Sequence, residues 1–245
     1  MPAPKSNIDN INVDQTKNRK THLNDMAPLH QISKSYKVDF LNNGIFIIKD
    51  VLTRPQVKEI RKIVLNIAKW EKKNDKAHIY DEAKCAQRVW NLLNKNAIFE
   101  EIITSKVILN CMEWIFDRDT PHEKYYLSSF QAHILSPGAR RQKLHIDTPV
   151  PEPLPDWPIK ANTIWVLDEF NDVSGATEYV SGSHKYKNKP KIEDYDRNDI
   201  ISVNAKIGSV IVTHGALWHR SGGNNTKTKR VALLGSFAAS YAREI

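Results

Sequence analysis

Two histidines and one aspartate constrain this chain more than any other feature. His145 and Asp147 stand one residue apart, and His219 follows Asp147 by 219 − 147 = 72 residues. In a strand, residues i and i+2 share a face. If Leu144–Asp147 ends a strand, the His145 imidazole and the Asp147 carboxylate project together while Ile146 points away. Two imidazoles and one carboxylate suit a borderline cation such as iron(II), and three protein ligands on one side leave its other side open. An H-x-D pair alone recurs by chance in many chains, so its surroundings decide its weight.

The chain has 245 residues, room for one large domain or two small ones, and its 40% apolar content is enough for one substantial core. The net charge of +8 and pI near 9.3 come mostly from lysines scattered over what read as solvated helix faces. That balance is compatible with an anionic small-molecule substrate or an acidic partner. No nucleic-acid partner is expected, because no recognition motif or arginine-rich block accompanies the charge. Cys85 and Cys111 sit in helix-like apolar segments and read as reduced thiols rather than a disulfide. No membrane contact is expected, since no apolar run approaches the ~20 residues that cross a bilayer. The N-terminus lacks a signal-like apolar region. The expectation is a soluble cytoplasmic protein, a monomer or homodimer.

Residues 1–35 are rich in Asn, Lys, Asp and Gln and read as a flexible N-terminal arm. Gly44 precedes a short β-like run ending at Ile48. Thr53 and Pro55 then mark a helix start, with Val57, Ile60, Val64 and Ile67 as its buried stripe. Further helices are predicted over Glu82–Asn94 and Ile98–Phe116. From Tyr125 the character changes to short β-rich stretches between Gly, Pro and Asn turns: Tyr126–Leu135, Ala161–Leu167, Gly175–Val180, Ile201–Val203, Gly208–Thr213 and Arg230–Phe237. Several short strands with turn signals argue for a sandwich or barrel. The predicted fold is mainly β with N-terminal helices (α+β): a helical buttress over 36–120 and a β core over 121–245, together one domain from 36 to 245. The stiff stretch from Pro149 to Pro158 follows Asp147 directly and reads as a loop at the metal mouth.

Several blocks in order resemble the phytanoyl-CoA dioxygenase family of Fe(II)- and 2-oxoglutarate-dependent oxygenases. Pro137-Gly138, Gln142, His145 and Asp147 are similar to its P-G-x-x-x-Q-x-x-H-x-D block. Trp165 to Phe170 and Ser174 to His184 resemble its W-x-L-x-x-F and N-G-A-T-x-x-x-P-G-S-H blocks. Gly208 to His219 resembles its G-D-x-x-x-F-x-x-x-x-x-H block, and Arg230 follows His219 by 230 − 219 = 11 residues, where the family places an arginine. Ser181 stands where proline is common, and Ser209 where aspartate is common. Ile146 replaces a residue that is often polar. Asp147 is present where related halogenases have Gly or Ala, which disfavours halogenation.

The resemblance implies a double-stranded β-helix, a jelly-roll and cupin-like core, with Fe(II) on His145, Asp147 and His219. It implies 2-oxoglutarate as co-substrate with O₂. Arg230 would hold the distal carboxylate, since a guanidinium offers a bidentate fork and stays charged. Gln142, Thr177 and Ser221 would add polar contacts, and Trp165 would line the pocket. Gln131 and His133 alternate on one predicted strand and become substrate candidates if that face looks inward. Arg141, in a basic cluster with Arg140 and Lys143, is a candidate for a substrate anion. The implied activity is hydroxylation of an unactivated C–H in a small-molecule metabolite, giving succinate and CO₂. The stretch Gln87–Ile102 is similar to the branch that tailors small molecules. The alternatives are an acyl-CoA hydroxylase, a catalytically silent metal- and 2-oxoglutarate-binding domain, and a related metalloenzyme that does not use 2-oxoglutarate.

Overall fold

The computed structural model describes residues 32–117 and 124–242. The flexible arm expected at 1–35 therefore lies outside the described residues up to His30–Gln31, and the expected boundary at 120/121 lies outside them too. Helix α1 (Lys34–Asn43) is capped by Ser33, whose hydroxyl accepts from the Tyr36 N–H, and ends at Gly44 in the left-handed conformation. Strand β1 (Ile45–Ile48) leads to α2 (Arg54–Lys73). Thr53 and Gln56 close a reciprocal capping box at the start of α2, with Pro55 in its first turn. Val57, Ile60, Val64 and Ala68 form its buried stripe. Ile67, expected there, is only partly buried, because the helix turns Ala68 toward the sheet instead.

Two predicted helices are corrected. Glu82–Asn94 is not helical: it holds β3 (Ala86–Val89) and a 3-10 turn at Leu92–Asn94, with β2 (His78–Ile79) just before it. The three-residue recurrence of Ala86, Val89 and Leu92 mimics a helix, but the backbone of this segment pairs with β4 (Tyr125–Leu135). Lys84 and Asn91 bracket the strand with positive φ, which interrupts helical propagation. Cys85 consequently lies in the turn before β3, while Cys111 is buried in α4, where burial pushes its thiol up to about 12. The expected Ile98–Phe116 helix is two, α3 (Ile98–Ile103) and α4 (Lys106–Phe116). Ser105 between them is extended, at φ −58° and ψ 140°. The N-terminal half is thus more than a buttress, since β1, β2 and β3 all extend the sheet.

The remaining strands are β5 (Lys160–Val166), β6 (Thr177–Val180), β7 (Ile200–Ser202), β8 (Val210–His214), β9 (His219–Ser221) and β10 (Arg230–Ala239). They form a seven-stranded sheet in the order β1-β8-β5-β10-β4-β3-β2 and a three-stranded sheet in the order β7-β6-β9. His145 adds one antiparallel bridge to β9 at the edge of the small sheet. The segments alternate between the two sheets along the chain: β4 large, His145 small, β5 large, β6 and β7 small, β8 large, β9 small, β10 large. That winding is a double-stranded β-helix, or jelly roll.

The large sheet divides its side chains by parity. Ala161 and Trp165 of β5, Val210 and Val212 of β8, and Val231, Leu233 and Phe237 of β10 pack with α2, α3 and α4. Ile164, Val166, Ile211 and Ala232 face the other way, against Val203, Ala205 and Tyr179 of the small-sheet side. The second set closes one end of the space between the sheets, and polar inner-face residues line the rest. Gly208 fixes the approach to β8. Its φ of +86° is in the left-handed region, and its carbonyl accepts the N–H groups of Val51 and Leu52, each at 2.9 Å. A Cβ there would run into the Leu52 carbonyl oxygen. We expect Gly208→Ala to lower stability by roughly 1–3 kcal/mol, measured as a fall in the urea midpoint at unchanged slope.

Candidate metal centre

His145 and His219 are held together by the backbone. Each donates its N–H to the other's carbonyl, both at 2.9 Å, and the two rings lie 4.6 Å apart. Each ring also turns its Nδ1 to the carbonyl two residues earlier, His145 to Lys143 and His219 to Leu217, both at 2.8 Å. That contact orients the ring and leaves Nε2 to face inward, as metal-bound imidazoles are held. The Asp147 carboxylate lies 3.3 Å from Nε2 of His219 and 4.0 Å from Nε2 of His145. Ligand atoms of all three lie within 4.8 Å of one another, so the set fits a single metal ion.

Gly215 supports Asp147 from below. Its carbonyl accepts the N–H groups of Asp147 and Thr148 at 2.8 and 3.1 Å. Its own N–H reaches the Lys160 carbonyl at 2.7 Å, so close that a Cβ on Gly215 would lie 2.5 Å from that of Lys160. Burial alone would raise the Asp147 pKa, but the neighbouring His219, then His145 and Lys160, hold it well below the usual carboxylate range. Burial opposes the charged form of His219, yet the Asp147 carboxylate draws its pKa above the ordinary imidazole value. His145 shifts the other way, lowered by burial and then by the charge of His219. The site thus offers a carboxylate whose ionised form its neighbours favour, with the Nε2 atoms of two imidazoles facing it.

Behind the triad lies Arg230, at the start of β10 and buried. Its Nη2 donates to the Ser221 hydroxyl at 2.9 Å and to the Gly175 carbonyl. The guanidinium sits 4.7 Å over the Phe170 ring. Its Nε is buried with no hydrogen-bond partner, and no carboxylate forms an ion pair with it among the described residues. Burial pushes its pKa down to about 10, which still leaves it charged at neutral pH. A buried cation with an unused donor is a fitting cradle for a carboxylate.

The other candidates divide. Thr177 is buried opposite Ser221 in the β6–β9 ladder, on the face that carries His219. Gln142 is tied to the same strand: its side-chain oxygen accepts from the Ser221 N–H at 3.0 Å and its own N–H reaches the Ser221 carbonyl at 2.9 Å. Gln131 and His133 do face inward, and Oε1 of the first and Nε2 of the second are buried without partners. Two expectations fail. Trp165 does not line the pocket; odd parity on β5 turns it into the core under the helices. Arg141 does not face the chamber either. It pairs at 3.2 Å with Glu178, whose place between Thr177 and Tyr179 puts it on the outer face of the small sheet, where Arg220 also holds it at 2.6 Å.

Asn162 escaped the sequence reading. It lies on the inner face of β5, and its side-chain amide donates to Asp147 Oδ2 at 2.7 Å. The signal was present as a lone amide alternating with Ile164 and Val166 in a buried strand. Arg88 was hidden by the misread helix, and Tyr80 lies just before it.

A jelly roll with two histidines and a carboxylate on its inner rim, and a buried arginine behind them, defines a mononuclear facial-triad site. The model of the phytanoyl-CoA dioxygenase (PhyH) family matches residues 40–232, and this chain belongs to that family. It is 28% identical over 169 residues to dioxygenase af480 of Aspergillus fumigatus, which covers 68% of this chain and 53% of that protein. The match thus spans about half the length of that relative. Among solved structures, it is similar to the non-haem alpha-ketoglutarate-dependent carbocyclase SnoK from nogalamycin biosynthesis, with a TM-score of 0.68 at 15% identity over 85% of each chain. HygX of Streptomyces hygroscopicus, solved with nickel, 2-oxoglutarate and hygromycin B, gives 0.64 at 14% identity, over 87% of this chain and 90% of that one.

Removing the Asn162 amide frees the carboxylate that anchors the site. We expect Asn162→Ala to weaken cobalt(II) binding about 10- to 100-fold, read from the visible absorption of a cobalt titration, while the far-ultraviolet dichroism stays that of the wild type.

Proposed function

We propose that the protein is an Fe(II)- and 2-oxoglutarate-dependent dioxygenase that oxidises, and by default hydroxylates, an unactivated C–H bond of a small-molecule metabolite, with succinate and CO₂ as co-products. The observation that carries this reading is Arg230: a buried guanidinium, braced by Ser221 and Gly175 and left with a free donor, meeting across the chamber the strand that carries His219 of a fitted metal triad. A monodentate anion would satisfy a metal site alone. A separate buried cation calls for a ligand with a second carboxylate, and 2-oxoglutarate has that shape. Two structural neighbours support it by their descriptions, one as alpha-ketoglutarate-dependent and one with 2-oxoglutarate bound beside nickel.

His145, Asp147 and His219 would hold the iron, which with 2-oxoglutarate supplies activation of O₂. The protein's own work is positional. The backbone bridge sets the spacing of the two imidazoles, Asn162 holds the Asp147 carboxylate, and Gly215 holds its backbone. Arg230 and Ser221 fix the far end of the co-substrate, which thereby fixes its keto acid end at the metal. Thr177 completes the wall opposite Ser221. His133 is kept neutral by burial, then by the charges of Arg88 and Arg230, so it can orient a ligand without adding a third positive charge. The Pro149–Pro158 loop is pinned by buried Leu154, whose N–H reaches the Lys187 carbonyl at 2.8 Å.

We expect His145→Ala, Asp147→Ala and His219→Ala each to abolish 2-oxoglutarate-dependent succinate formation without unfolding the protein. Full turnover with normal iron content in any one of them would remove that residue from the ligand set. For Arg230→Lys the charge remains but the fork is lost. Loss of charge-assisted hydrogen bonds worth about 1.5–3 kcal/mol should raise the 2-oxoglutarate requirement by about one to two orders of magnitude and change metal affinity much less. Coincident 2-oxoglutarate titrations of the wild type and variant would move the anchor elsewhere.

A further inference from the structure

Strand register divides the inner face of the large sheet into rows. Asn162 of β5 stands directly opposite Thr213 of β8 and Ser236 of β10, and Ser236 stands opposite Ser129 of β4. Directly paired residues share a face, so all four project from the inner side. Asn162 donates to Asp147 Oδ2, which puts this row level with the metal ligands. The next row inward is Gln131, Leu234, Ile164 and Ile211, and the one beyond it holds His133. Arg88, opposite His133 and 4.5 Å over the Tyr80 ring, belongs with Arg230 to the co-substrate end. Ser236 stands 236 − 230 = 6 residues from Arg230 along β10, about 20 Å of strand. The two serines are thus outside the co-substrate's carboxylate pocket and beside the metal.

Both serines open onto the chamber. They are half-buried, while Phe130, Gly235 and Phe237 next to them in the chain are buried. Neither hydroxyl bonds another group among the described residues. The pairing of β4 also shifts here: Ser236 meets Ser129 and Phe237 meets Leu127, which leaves Ser128 as an extra residue. A bulge of this kind re-aims side chains and is frequent beside active sites. One row outward, Ala238 stands opposite Lys160 and Tyr126, and the Tyr126 hydroxyl is taken by the Ala242 carbonyl. The small side chains of Ser129, Ser236 and Ala238 leave a hollow beside the metal ligands, with two hydroxyls on its floor. A hydroxyl both donates and accepts, so the pair matches a neutral oxygen group that does the same. A carboxylate would call for a cation, and Lys160 already bears on Asp147. An ammonium would call for an anion, and Asp147 is engaged with Asn162 and the two histidines.

We propose that Ser129 and Ser236 bind an alcohol group of the primary substrate, a neutral hydroxylated metabolite, and so decide which carbons of its skeleton lie beside the metal. The proposal rests on the metal and 2-oxoglutarate reading, which puts the oxidising centre at this row and the co-substrate toward Arg230. It makes the two serines specificity residues with no part in holding the metal or the co-substrate.

The test uses the full chain loaded with manganese(II) in place of iron and saturated with 2-oxoglutarate without oxygen, with the zinc(II)-loaded protein as the diamagnetic control. The probes are 4-fluorobenzyl alcohol, 4-fluorotoluene, 4-fluorobenzylamine and 4-fluorobenzoate, and the readout is broadening of each fluorine resonance by the nearby manganese. The alcohol should broaden at concentrations where the other three do not. The double variant Ser129→Ala, Ser236→Ala should weaken the alcohol about fivefold or more, while Ser236→Thr, which keeps a hydroxyl, should stay within about twofold of the wild type. Binding of 2-oxoglutarate, titrated through its effect on water proton relaxation by the bound manganese, should be the same in every variant. The proposal is overturned if the alcohol does not broaden, if 4-fluorotoluene, the amine or the acid matches it, if the double variant binds the alcohol as the wild type does, or if that variant loses 2-oxoglutarate as well. A wild-type titration that does not respond to 2-oxoglutarate is a different failure, that of the co-substrate reading. The same four probes then decide the role of the serines on the manganese protein alone.

Discussion

The reciprocal backbone bridge between His145 and His219 is the contact on which the rest of the site depends. It is a single pair of hydrogen bonds, yet it joins residues 219 − 145 = 74 positions apart and sets the distance between two imidazoles to that of adjacent strands. Strand spacing is nearly invariant. A metal site built on it therefore inherits its geometry from the sheet rather than from flexible side chains. Everything around the bridge serves the same end. The carbonyls of Lys143 and Leu217 turn the rings, Gly215 lets the chain carrying Asp147 come close, and Gln142 and Ser221 continue the pairing one step further along β9.

The chamber next to this bridge collects cations. Arg230 and Arg88 share it with a neutral His133, and the anion among them is Asp147, which His145 and His219 already draw on. Three other acids, each at least partly buried, are occupied. Asp168 pairs with Arg61 and accepts the Val231 N–H, Glu178 is held by Arg220 and Arg141, and Glu71 by Lys95. Such an imbalance inside a protein is unfavourable for folding and favourable for binding anions. The overall charge of +8 says little by itself; its concentration in the cavity is what bears on function.

Much of this was legible in the sequence because it is local. The H-x-D pair, the spacing to His219 and Arg230, the cap at Thr53 and the short strands after Tyr125 are all statements about neighbours along the chain. Where the reading went wrong, two periodicities overlapped. Ala86, Val89 and Leu92 fit a helical stripe, and nothing local revealed that β4 would offer this segment a partner. The error had a cost beyond the fold, since it concealed that Arg88 shares the inner face of the sheet with His133. Trp165 failed for a related reason: it lies in a motif that matters, but a strand sends successive side chains to opposite faces, and only the packed sheet says which face is inside. Arg141 lies in the loop before His145, and its partner Glu178 comes from a distant strand.

The sequence by itself determined the chemistry of the metal ligands, the presence of a guanidinium at a fixed distance behind the last of them, and the β-rich character of the half that carries them. Those follow from residue types and short-range spacing. Tertiary structure decided parity and company: that Asn162 reaches Asp147, that Arg230 stays without an acid, that Arg141 is neutralised outside, and that Arg88 is not. The physical reason is that a side chain's charge balance depends on what the other strands bring to it, and strand order in a jelly roll is set by pairings between residues far apart in the chain.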